Sequence, residues 1–220
     1  MAISIDTVYQ KVLTFANKEQ RGYITPQQFN LFADQAQKEI FEQYFYDLNQ
    51  LSRVPGRSEE YSDLVHNLNE KVAVFEKSDG TGLTLANVYR LGTVMSNGKE
   101  VEEVQQNELL YMNQSPLTAP SSNRRVYVRT GATTIVVYPS GGATSYTYVR
   151  SPSKPSWGYV VVNERAMYDS GNTINFDLHL SEESELVYRI LAFAGIAMQK
   201  PNLTQAAIGL ETAKVQQEKQ

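Results

Sequence analysis

The sequence contains no cysteine, two histidines and one tryptophan among 220 residues. Without cysteine there are no disulfides, no thiolate nucleophiles and no cysteine metal sites, which suits a protein made in a reducing cytoplasm. No apolar run approaches the roughly 20 residues needed to span a bilayer. The opening MAISIDTVYQK has neither the basic start nor the apolar core of a signal peptide, so a soluble chain with no membrane partner is expected. A net charge of −4 argues against a sequence-independent nucleic-acid binder, which needs a basic footprint to release phosphate counterions. Local basic clusters at Arg124, Arg125 and Arg129, and at Arg150 and Lys154, read as solvated strand edges.

Tyrosine is abundant, with 14 residues. A ring with a polar tip suits both strand-rich structure and interfaces that are wet before assembly.

The pattern predicts three zones: helices over 1–70, a β-rich domain over 71–180 and helices again over 181–220. The fold class is therefore α+β, a helical body from both ends of the chain around a central antiparallel β domain. Ile5, Val8, Val12 and Phe15 fall at helical spacing. The second helix has a clear start, with Thr25 as N-cap, Pro26 at the first helical position and Gln28 three residues after the cap. Phe29, Ala33, Ala36, Ile40, Tyr44, Leu48 and Leu51 continue one stripe to Pro55-Gly56, giving a helix about 39 Å long. A weaker helix over 58–69 carries Tyr61, Val65 and Leu68 on one side.

The middle zone predicts a short strand at 72–75, turn chemistry at 78–82 and a hairpin around Asn97-Gly98. A short helix follows within 103–112, with Val104 and Leu109 partly buried. Strands are expected at 125–130, 134–138, 146–150, 159–163 and 173–180. Ser181 then caps a helix with Glu182, Glu183 and Glu185 in its first turn, complementing the helix dipole. Leu186, Ile190, Phe193 and Ala197 form one stripe; Val187, Leu191, Ala194 and Met198 form its neighbour. A face this wide predicts burial in body or ring packing. Pro201 breaks the helix. Leu203, Ala206, Leu210 and Ala213 are the small, sparse anchors of a last helix that, alone, would be marginal and suited to ordering on docking.

No catalytic constellation emerges. The loop at 17–28 imitates a calcium-binding loop, but Arg21 stands where an oxygen ligand belongs and Gln28 replaces the closing glutamate. It reads better as a connection between helices with Gly22 as C-cap. His66 and His179 have no partner at metal-ligand spacing. Gly-x-Ser-x-Gly and a phosphate-binding glycine loop are both missing. Glu102 and Glu103 are adjacent, so their side chains diverge. No catalytic residue, metal or cofactor is expected. Pro152 and Pro155 have the spacing of an adaptor-module ligand, but flanked by strands they read as a rigid connector, with Trp157 covering the sheet.

Several segments resemble virion structural proteins of tailed bacteriophages: SPLTAP at 115–120, VVYP at 136–139, YVRSPSKPSW at 148–157, FDLHL at 176–180 and LVYRILAFAGI at 186–196. The layout is most similar to head-to-tail adaptor, or neck ring, proteins of short-tailed phages. That resemblance implies a homo-oligomeric ring, commonly twelvefold, in the virion neck, assembled in the bacterial host cytoplasm. It implies docking on the portal protein through residues 201–220, a downstream tail or nozzle partner, and DNA only as passing cargo. A tail-associated receptor- or glycan-binding protein is the alternative, expected to be a trimer. A tail-associated hydrolase is a third, needing a carboxylate or histidine constellation.

Overall fold

The computed structural model describes residues 3–17, 24–53, 59–85, 87–197 and 201–218. Along the chain lie α1 (Ile5–Asn17), α2 (Pro26–Arg53), α3 (Glu59–Ala73), β1 (Glu76–Thr81), β2 (Val88–Ser96), β3 (Lys99–Glu103) and α4 (Gln106–Met112). They are followed by β4 (Val126–Arg129), β5 (Ile135–Tyr138), β6 (Thr144–Arg150), β7 (Tyr159–Val162), β8 (Arg165–Tyr168), α5 (Glu183–Ala197) and α6 (Pro201–Glu218). The class is α+β. The chain divides into a unit of residues 1–74 with 152–220 and a unit of residues 75–151.

The helical unit follows its sequence stripes closely. Thr25 and Gln28 form a reciprocal capping box: the Gln28 amide donates to Thr25 Oγ1 at 3.3 Å, and the Thr25 amide donates to Gln28 Oε1 at 3.2 Å. Phe29, Ala33, Ala36, Ile40 and Tyr44 of α2 are buried, with Ile5, Val8 and Val12 of α1 and Leu186, Val187, Ile190 and Leu191 of α5. Phe15 departs from its stripe and is half exposed. The proposed helix stop at Pro55-Gly56, the Gly22 cap and the side chain of Tyr61 lie outside the described residues.

Three expectations give way here. The strand expected at 72–75 is the last turn of α3 to Ala73 and a turn at 74–75, because Val72 continues the helical stripe of Val65 and Leu68 and is buried. The strand expected at 173–180 exists only as single bridges, Ile174 to Ser156 and Phe176 to Ile3, before a 3-10 turn at Leu180–Glu182. Alternation of buried Phe176 and Leu178 mimics a strand, yet no continuous strand lies beside it. The 3-10 turn also displaces Ser181 as cap: the His179 ring accepts from the Ser181 amide.

Residues 152–180 belong with the helices, not the β domain. Gln37, fully buried on α2, explains part of this: its Nε2 donates to the Ser153 carbonyl at 2.7 Å, and its Oε1 accepts from the Asp177 amide at 3.0 Å. Asn30 clasps Trp157 in the same way, accepting from its amide at 2.8 Å and donating to its carbonyl at 3.3 Å. Trp157 therefore lies between α1 and the β7–β8 hairpin; its indole N–H donates to Asp6 of α1 at 2.9 Å.

In the other unit, a six-stranded sheet runs in the order β1-β6-β2-β3-β4-β5. Neighbours are antiparallel except β3 and β4, so the sheet is mixed where an antiparallel one was expected. A parallel pair needs a long crossover, and α4 supplies it. Val104, Leu109, Val126 and Val128 pack together under α4, while Tyr127 joins Leu85, Val94, Val101, Ile135, Val137 and Tyr146 in a second cluster. That split follows the period-2 alternation of β4. Asn97 and Gly98 have φ of 51° and 75°, the positive pair a tight β2–β3 turn demands. The turn expected at 78–82 is largely strand β1, whose pairing with β6 shifts register between Lys77 and Gly80.

Candidate functional site

Two features of the helical unit stand out: a buried ionic clasp and an exposed apolar hairpin.

The clasp joins α6 to the rest of the unit. Glu182 is 1% exposed; it meets Lys71 of α3 at 2.6 Å through Oε1 and Lys214 of α6 at 3.2 Å through Oε2. Lys214 also reaches Glu185 Oε2 at 3.4 Å. Arg189 pairs with Glu185 at 2.7 Å, with Glu211 of α6 at 3.1 Å and with Glu39 of α2 at 3.7 Å. The first-turn glutamates expected to serve the α5 dipole are thus divided. Glu183 pairs with Lys11 of α1, and the other two enter the clasp.

The two clasp glutamates are driven in opposite directions. Burial alone would raise the Glu182 carboxyl, but the hydrogen bond and charge of Lys71, then Lys214, outweigh it and hold the group below the usual carboxylate range. For Glu185, burial and the nearby Glu182 charge outweigh Arg189 and Lys214, and its pKa is raised.

Apolar attachment of α6 is thin. Ala207 is buried, and Gly195 lets the helices approach so closely that an added Cβ would lie 2.6 Å from Thr204 Oγ1 and 3.0 Å from its backbone nitrogen. Gly195→Ala is therefore expected to push α6 outward. Hydrogen exchange should rise at least several-fold across 201–218 while α5 stays protected, as read by mass spectrometry.

The second feature is the β7–β8 hairpin. Its register pairs Tyr159 with Tyr168, Val160 with Met167, Val161 with Ala166 and Val162 with Arg165. At the base, Tyr159 and Tyr168 lie against Trp157 with ring centroids 5.9 and 5.8 Å away. Beyond it, Val160, Val161, Val162 and Met167 are each more than half exposed. The turn places Asn163 and Glu164 at φ of 49° and 63°. Glutamate, unlike glycine, is strained there.

The residues singled out from the sequence scatter across these features. Leu186 and Ile190 are fully buried within the chain, whose α5 packs against α1, α2 and α6. Phe193 is half-buried, 6.4 Å from Phe32 between ring centroids, and Ala197 is exposed at the end of α5. Ala206, Leu210 and Ala213 line the outer side of α6 and are exposed; the side chain of Leu203 lies outside the described residues, as does Met198. The hairpin escaped the sequence reading as a surface. Its signal was present: three consecutive valines break the apolar–polar alternation of a half-buried strand.

On the sheet of the other unit, a shallow depression of about 500 Å³ is bordered by Thr93, Glu100, Glu102, Glu103 and Tyr127. The Tyr127 hydroxyl donates to Glu103 at 3.0 Å, and burial together with that carboxylate pushes its pKa up to about 12. Glu102 pairs with exposed Arg124 at 3.4 Å. Among the described residues, no group of three or more metal-ligating side chains is brought together, and no helix is long and apolar enough to cross a membrane.

Compared with known proteins, the chain matches no family model, and no curated protein matches it in sequence.

Proposed function

We propose that the chain is a structural subunit of a phage head-to-tail connector. It forms a ring in the virion neck, docks on the portal protein, joins it to the next tail component and lets DNA pass. The observation that carries this reading is the presence, on one helical unit, of two apolar surfaces of different make. One is the tip of the β7–β8 hairpin; the other is the outer side of α6, where Leu210 is half exposed beside Ala206 and Ala213. A closed ring uses unlike, complementary faces, and docking on another ring needs a further one. The resemblance of the chain to neck proteins supports the same reading. In it, α6 carries the portal contact through Ala206, Leu210 and Ala213.

Mass photometry and negative-stain microscopy of the purified chain, alone and with its cognate portal ring, test the proposal. A closed ring, formed alone or only on the portal, is the expected result. Leu210→Glu should weaken portal binding at least tenfold without unfolding the chain, since the side chain is half exposed. A stable trimer indifferent to portal would overturn the connector reading in favour of receptor binding.

A further inference from the structure

We infer that neighbouring subunits join through their β7–β8 hairpins, the outer edge of β8 on one copy pairing with the outer edge of β7 on the next. The inference rests on the ring reading and names its contact.

A two-stranded hairpin is marginal in water unless something covers it. Among the described residues this one is covered only at its base, where Tyr159 and Tyr168 meet Trp157. Outward of that base, both faces carry exposed apolar side chains, Val160, Val162 and Met167 on one and Val161 on the other, all more than half exposed, with the charged Arg165 and Glu164 only at the tip. The backbone is as incomplete as the side chains. In a hairpin closed by a two-residue turn, the residues flanking the turn bond to each other and the next pair does not. Val162 and Arg165 flank the turn, so the amides and carbonyls of Val161 and Ala166 point outward along the two edges. Among the described residues, neither finds a backbone partner beyond the hairpin.

What completes a bare β edge is another bare β edge, and this hairpin carries two that are complementary. β7 and β8 run in opposite directions. Hairpins standing side by side with the same orientation therefore bring β8 against the next β7 in antiparallel pairing, and the alternation continues from copy to copy. This is a head-to-tail contact, the kind that closes into a ring. A second copy is thus the occupant that satisfies both edges at once, which a single partner of another kind on one edge would not. The hairpin also lacks proline and lysine, two common guards of an exposed edge. Rotation about a ring axis keeps equivalent residues level. Met167 of one copy then faces Val160 of the next as a non-hydrogen-bonded pair, within the Cα separation of about 4.4–6.8 Å that a disulfide spans.

The absence of native cysteine makes the test direct. Val160→Cys and Met167→Cys proteins are prepared separately, assembled under the conditions that give rings and oxidised. The expected result is an intermolecular cross-link in the mixture of the two and none in either alone. A cross-link within one variant alone would signal two-fold pairing and overturn the proposal. Rings that form without a cross-link in the mixture would overturn it while leaving the ring reading intact. No ring with or without portal would remove both. Val161→Pro gives a second readout, since it deletes the outward amide while the hairpin keeps its own bonds. Ring formation should fall at least tenfold with unchanged circular dichroism, and undiminished rings would count against edge pairing.

Discussion

Glu182→Gln lowers the stability of the helical unit by about 3 kcal/mol or more, and Glu185→Gln, one turn away, does not. Removing one member of a buried ion pair leaves the other charged and unpaired, which is where a loss of this size comes from. Glu182 is the shared acceptor of Lys71 and Lys214, whose side chains are largely buried, so its neutralisation removes the carboxylate that both ammonium groups share, with Lys214 keeping its longer 3.4 Å ion pair with Glu185. Glu185 differs. Arg189 keeps Glu39 and Glu211, and Lys214 keeps Glu182, when it is neutralised.

The direction of each pKa shift gives the pH dependence. The folded-state value of Glu182 lies below its unfolded value, so its contribution is full above the usual glutamate range and is lost as pH falls through the folded value. Glu185 is raised, so its contribution is present at low pH and is lost as pH rises through its folded value. Thermal unfolding should therefore show stability holding or rising as pH falls toward the ordinary carboxylate pKa of about 4.3, then declining below it. In Glu185→Gln the rise disappears; in Glu182→Gln the acid fall is blunted. A urea midpoint unchanged by Glu182→Gln would show that Glu182 holds nothing, leaving the clasp's hold on α6 to Arg189–Glu211 and Lys214–Glu185.

Features written in short stretches of sequence were legible. The capping box of α2 and the Asn97-Gly98 hairpin each depend on residues within a few positions of one another. What could not be read depends on residues far apart. Lys71, Glu182 and Lys214 come from three separated segments, and each alone reads as an ordinary surface charge. The attachment of 152–180 to the helices depends on Gln37 and Asn30, polar residues on the rim of an apolar stripe whose partners lie more than a hundred positions away. Periodicity also misled where it was genuine but unaccompanied: Phe176 and Leu178 alternate as a strand would, yet their backbone meets only isolated bridges. The wide apolar face of α5 is buried at Leu186, Val187, Ile190, Leu191 and Ala194, while Phe193 is half-buried and Ala197 exposed. For Leu186 and Ile190 the covering surfaces are α1, α2 and α6 of the same chain.

Trp157→Ala should cost about 3–5 kcal/mol, the usual range for deleting a large buried aromatic. It should also act first on one element. Trp157 is 3% exposed and lies 4.3 Å from Tyr9 between ring centroids, so the deletion opens a cavity between α1 and the hairpin base. The two Asn30 bonds engage only its backbone and survive the change. The chain at 157 therefore stays tethered to α2, whereas Tyr159 and Tyr168 lose the ring they pack on. Hydrogen exchange across 159–168 should rise well before α1, α2 and α5 open, a separation that global destabilisation alone would not produce. Trp157→Phe separates stacking from the indole hydrogen bond: it keeps an aromatic ring at the base, loses the bond to Asp6, and should cost nearer 1 kcal/mol with the hairpin still protected. If neighbouring subunits join through the hairpin, ring assembly should follow the same order. It should fail in the alanine variant at temperatures where circular dichroism shows the helices intact, and persist in the phenylalanine variant. Rings that assemble normally on a hairpin shown to be open would place the subunit contact elsewhere on the helical unit.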